Sequence, residues 1–123
     1  MIYLDANVIL RYLLEDSEKF IEQSKSYIEN NHVYIKNEVL AEVVYVLNKT
    51  YKVPKKIVKL ILQKLLLNNN IQVDSIDVVN LSLELFESKN IDFVDALLCS
   101  YNKILKYEVA SFDKKLNKCM GIK

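Results

Sequence analysis

Four short strand-like runs, at residues 2–4, 33–35, 71–73 and 108–110, are separated by stretches whose apolar residues recur at helical spacing. This alternation constrains the fold more than any other feature of the chain. The spacing predicts helices over residues 6–14, 17–30, 37–50, 54–67, 75–88, 92–105 and 113–118. Ser17 is the expected cap of the second helix, the single proline Pro54 suits the start of the fourth, and the cluster Asn68-Asn69-Asn70 reads as a turn. Strands alternating with helices predict an α/β fold: a three-layer α/β/α arrangement around a short, mainly parallel central sheet. With 123 residues, 51% of them hydrophobic, the chain suits one domain over residues 1–123 with one core. In such sheets the ligand site lies beyond the carboxyl ends of the strands.

Composition excludes several chemistries. Gly121 is the only glycine, so no phosphate-cradling loop of the P-loop or dinucleotide kind can be built. His32 is the only histidine and falls in an expected loop, which removes the means for a catalytic triad or a Cys/His zinc site. Cys99 and Cys119 are too few for a disulfide framework, and a reduced cytoplasmic location is the expectation. No apolar run reaches membrane-spanning length, and the start of the chain lacks the pattern of a signal peptide. A net charge of +1 leaves any attraction for nucleic acid to a local patch. The remaining chemical resource is carboxylate.

Asp5 directly follows the first strand, and Asp113 follows the run at 108–110, so both fall at the carboxyl edge of the expected sheet. Each also suits a helix N-cap. Glu42 lies in Val39-Leu40-Ala41-Glu42-Val43-Val44, a helix apolar nearly all round and therefore expected to be buried on most sides. Either Glu42 occupies a solvated stripe or a cation compensates it, because an unpaired buried charge is costly. Asp95 is the only charge in Phe93-Val94-Asp95-Ala96-Leu97-Leu98, and Asp92-x-x-Asp95 has the spacing of a capping box. Acids gathered at one edge repel one another, and a divalent ion removes that penalty. Magnesium or manganese suits such oxygen donors, and the absence of a soft ligand disfavours zinc. One or two such ions, bound by carboxylates, suit phosphoryl chemistry.

These motifs resemble those of the PIN-domain family, and in size and layout its VapC-type toxin branch. Leu4-Asp5-Ala6-Asn7 resembles the first motif, and Asn37-Glu38-Val39-Leu40-Ala41-Glu42 the second. Ile91-Asp92-Phe93-Val94-Asp95-Ala96 resembles the third and Ser111-Phe112-Asp113 the fourth, all in the family's order and across essentially the whole chain. The resemblance implies Asp5, Glu42, Asp95 and Asp113 as the catalytic and metal-binding quartet. Asp92 is then a supporting acid, with Asn7 and Ser111 orienting ligands by hydrogen bonds. It further implies magnesium- or manganese-dependent endoribonucleolytic hydrolysis leaving a 5′-phosphate and a 3′-hydroxyl, a small antitoxin partner, and a homodimer. The chain departs from the family in its ending, Cys119-Met120-Gly121-Ile122-Lys123, which leaves little for a last edge strand.

RNA binding needs positive charge near the acids, and Arg11, Lys114 and Lys115 are the nearest candidates in sequence. Lys52, Lys55, Lys56 and Lys59 read first as a solvated helix face, and Tyr12 or Tyr45 as possible stacking platforms. The alternatives to a toxin are a housekeeping nuclease, a catalytically inactive scaffold, and an acidic metal-binding signalling module. The last needs an acid beside Asp5, which the sequence lacks.

Overall fold

The alternation of strands and helices is realised in a computed structural model that describes residues 1–15 and 18–122. Three strands and seven α-helices form among those residues, so the protein is of mixed α/β class with a parallel sheet, as its pattern predicts. The chain divides into two units, Met1–Asp74 and Ser75–Lys123. No helix among the described residues is long and apolar enough to cross a membrane.

The first unit holds the sheet. Strands β1 (Ile2–Tyr3), β2 (Val33–Ile35) and β3 (Ile71–Val73) pair in parallel in the order β1-β2-β3, with Ile2 beside Val33 and Val33 beside Ile71. Side chains alternate across a strand, and burial follows: Val33 and Ile35 are fully buried, whereas Tyr34 between them is half-exposed and stacks on Tyr3. Helix α1 (Ala6–Leu14) packs on α2 (Glu18–Glu29) and on α3 (Asn37–Tyr45). Ile9, Leu10, Leu40, Val43 and Val44 supply buried surface there, each stabilising by about 1.5–3 kcal/mol relative to exposure. The Asn70 amide donates to the carbonyls of Ile28 and Asn31, tying the start of β3 to the end of α2. The expected cap Ser17 lies outside the described residues.

Two expectations are refined in this unit. The helix predicted over 37–50 is α-helical only to Tyr45 and continues as a single π-helical segment, Val46–Thr50. Its end is shaped by Asn48, whose amide donates to the Val53 carbonyl at 3.0 Å, and by the left-handed Lys52. Pro54 is the cap residue of α4 (Lys55–Leu65), where its missing N–H costs nothing.

The second unit is helical. Ser75 caps α5 (Ile76–Ser88) by accepting from the Val78 N–H. A turn with Asn90 in the left-handed region leads to α6 (Phe93–Leu105), and a longer connection to α7 (Lys114–Cys119). The α5–α6 contact is close because it places Ser82 and Ser100 face to face, their hydroxyls 2.9 Å apart and each within reach of a carbonyl on its own helix. Phe86 and Phe93 meet edge to face at 6.1 Å.

Two sequence-based expectations change here and one holds. Residues 108–110 form no strand; Glu108 and Ala110 are exposed, and only Val109 has the β-branched side chain that favours a pleated, half-buried surface. No strand follows α7 among the described residues, in keeping with the short ending. Cys99 and Cys119 are joined in a disulfide that ties α7 to α6, correcting the expectation of two reduced thiols. The two cysteines are 20 residues apart, and only the packing of α7 against α6 brings them together.

Candidate metal centre

Each sequence-predicted acid has a definite place. Asp5 is exposed at the end of β1 and is the N-cap of α1, its Oδ1 accepting from the Ala6 N–H at 2.7 Å. Glu42 lies on α3, in the same unit, and is exposed. Of the two readings of Glu42, the structure shows the solvated stripe: Glu38, Glu42 and Tyr45 are exposed at helical spacing, opposite the buried Leu40, Val43 and Val44.

In the second unit Asp113 is the N-cap of α7, its Oδ1 accepting from the Leu116 N–H at 2.9 Å. Ser111 builds the approach to that cap. Its hydroxyl accepts from the Asp113 N–H and its carbonyl from the Asn117 amide, both at 2.9 Å. Asp95 lies half-buried in the first turn of α6. Asp92 occupies the N-cap position of α6 but makes no side-chain cap hydrogen bond, so the capping box suggested by Asp92-x-x-Asp95 does not form. Asp92 and Asp113 each lie within electrostatic range of Asp95. Burial first, then the charges of Asp113 and Asp92, hold the Asp95 carboxyl above the ordinary carboxylate range.

Among the described residues no three His, Cys, Asp or Glu side chains are drawn together into a ready-made ion cage. The donor chemistry nonetheless fits a hard divalent ion. Every candidate is a carboxylate, and Asp95 carries the repulsion that a cation would reverse. Asn7 is exposed on the first turn of α1, and Arg11 is half-buried; both line a small cavity of about 90 Å³. Lys114 and Lys115 are exposed in the first turn of α7. Tyr12 donates to the Glu29 carboxylate at 3.1 Å; burial, then that bond, pushes its hydroxyl up. Tyr45 is 64% exposed.

Sequence reasoning overlooked a second aspartate that, like Asp5, lies between a strand of the sheet and a helix. Asp74 directly follows β3, and it accepts from the Tyr34 hydroxyl and from Lys36 Nζ, the latter at 3.0 Å. Lys36 also lies over the Tyr34 ring, 5.5 Å from its centroid. The signal was available: an acid after one strand and a lysine after its neighbour in the sheet.

A parallel sheet whose strands feed helices, with carboxylates at helix starts, defines a mixed α/β protein rather than one activity. A family model described as PIN domain matches residues 2–120, and the chain belongs to the PIN-domain family. PIN domains are generally nucleases, hydrolases that work with divalent metal ions. No curated protein and no solved structure matches the chain.

Proposed function

We propose that this protein is a magnesium- or manganese-dependent endoribonuclease, the toxin of a toxin–antitoxin pair, acting as one PIN-like domain over residues 1–123. The observation that carries the reading is the PIN-domain match over residues 2–120; the raised carboxyl of Asp95, with the charges of Asp113 and Asp92 acting on it, supports it. Asp5, Glu42, Asp95 and Asp113 are the proposed ligands of one or two ions. When bound, such an ion supplies a water acidic enough to attack a phosphodiester and a charge to stabilise the leaving oxygen. Asp92 adds negative charge beside Asp95, and Ser111 holds Asp113 in register by accepting from its N–H. Asn7 orients a ligand from the first turn of α1. Arg11, Lys114 and Lys115 contribute positive charge toward the RNA backbone.

A small antitoxin or a second copy is the proposed occupant of exposed apolar surface on the first unit. Ile57, Leu60 and Leu67 are exposed there, as are Tyr45 and Tyr51. The testing experiment is cleavage of a mixed RNA pool by purified protein with magnesium or manganese, with chelator, and with Asp5→Asn as control. Metal-dependent cuts absent from the variant are expected. Equal cutting by parent and variant, or cutting in chelator, removes the carboxylate–metal reading.

A further inference from the structure

The second unit contains a cavity of about 540 Å³ that the acids do not use. Among the described residues four lysines line it, Lys89, Lys103, Lys115 and Lys118, and none of the described lining residues carries a carboxylate. Its floor includes Leu85 and Ile91, and Cys119 of the disulfide is also in its wall. All four lysines are exposed, and among the described residues none has a carboxylate within ion-pair distance.

The ordinary explanation of a lysine at a helix end is the helix dipole, whose negative end lies there. It accounts for one lysine per helix: Lys89 at the cap of α5, Lys103 in the last turn of α6 and Lys118 in the last turn of α7. It does not account for three such ends opening on one cavity together with Lys115. Ammonium groups that share a cavity repel one another, and an anion from outside removes that cost.

We infer that this basin is a binding site for the phosphodiester backbone of single-stranded RNA, a contact that rests on the ribonuclease reading and extends it beyond Lys115. Lysine binds phosphate as a point charge without the planar match that arginine needs. None of the described lining residues is aromatic, so they offer no stacking platform and hold backbone rather than bases. An acidic peptide with apolar anchors fits less well, because Leu85 and Ile91 are only 7% and 4% exposed and leave little apolar floor to receive them. The disulfide holds α7, with Lys115 and Lys118, against α6, with Lys103, and so fixes two walls of the basin relative to each other.

The test is equilibrium binding of a labelled single-stranded RNA to the full chain in chelator, where cleavage does not intervene, over a range of salt. The variant is the triple substitution Lys89→Gln, Lys103→Gln, Lys118→Gln. Its control, Lys25→Gln, Lys49→Gln, Lys64→Gln, carries the same change in net charge on the first unit. Circular dichroism confirms that both fold. The basin variant is expected to bind about tenfold or more weakly at low salt. Its dependence of log affinity on log salt should be shallower by about 2, at roughly 0.7 for each phosphate no longer neutralised. The control should match the parent. If both variants fall equally, the effect is bulk charge and the basin is overturned. If the basin variant binds RNA like the parent, or loses only the binding of a poly-glutamate peptide, the RNA assignment is also overturned. In those cases metal-dependent cleavage by the parent keeps the ribonuclease reading standing by itself; its absence removes that reading separately.

Discussion

Asp74 follows a strand and Asp95 lies in the first turn of a helix, and their surroundings push the two aspartates in opposite directions. Burial works to raise the Asp74 carboxyl, but hydrogen bonds from Tyr34 and Lys36, with the Lys36 charge, outweigh it and leave Asp74 below its ordinary value. Asp95 has the same burial effect and, among the described residues, no such partner; Asp113 and Asp92 add to it, and the carboxyl is held above its ordinary value. The difference separates an acid that the fold has already compensated from one that awaits compensation. The first belongs to the architecture of the sheet edge, and the second is the better candidate for a cation ligand.

The largest effect that bears on this contrast is on activity. Asp95→Asn is expected to lower metal-dependent RNA cleavage on the order of 100-fold or more, with the far-ultraviolet spectrum unchanged. Asp74→Asn should leave the rate close to that of the parent. Equal losses in the two variants would dissolve the distinction. Metal binding gives an independent reading. Magnesium or manganese at about a hundred times its dissociation constant should stabilise the parent by about 2.7 kcal/mol in thermal unfolding, and Asp95→Asn by clearly less.

Stability of the second unit rests partly on the disulfide. Cys119→Ser should destabilise by about 3 kcal/mol, the chain-entropy value for a loop of this length, read by denaturant unfolding. An unchanged midpoint would mean that α7 holds its place beside α6 without the bond.

The acid dependence of the metal-free protein is the finest test of the comparison, and its sign differs between the two residues. The raised carboxyl of Asp95 contributes stability that is fully present below the ordinary aspartate range and is lost as pH rises through its raised value. Asp95→Asn should therefore leave the metal-free protein no less stable at neutral pH. The lowered carboxyl of Asp74 contributes stability present above the ordinary range and lost as pH falls through its lowered value. Asp74→Asn should therefore lower stability slightly at and above the ordinary aspartate range and match the parent once pH falls below the lowered value, the smallest of these changes, because the pair is solvent-exposed.

Much of the architecture was legible in the chain. The helix over 6–14 and the strands over 33–35 and 71–73 appear with the boundaries their patterns predict, because local periodicity and a single dominant face decide them. The N-cap roles of Asp5 and Asp113 were legible for the same reason, since a cap bonds to backbone one to three residues away. The change to a π-helical segment after Tyr45 was not legible. It depends on how Asn48 and Val53 close the end of the helix, and apolar spacing alone does not register that. For Glu42 the sequence left two readings open, a solvated stripe or a compensated buried charge, and only the packing of α3 selected the exposed one.

What the sequence by itself determined was the mixed α/β class, the order of the elements and the carboxylate character of the candidate site. These follow from residue type and spacing along the chain. Tertiary structure alone decided which charges meet. Lys36 meets Asp74 across 38 residues, and Asp113 meets Asp95 across a helix and its connection; Cys119 finds Cys99, and four lysines open on one cavity. Coulomb and hydrogen-bond energies depend on separation and burial in space, and neither is a property of position along the chain.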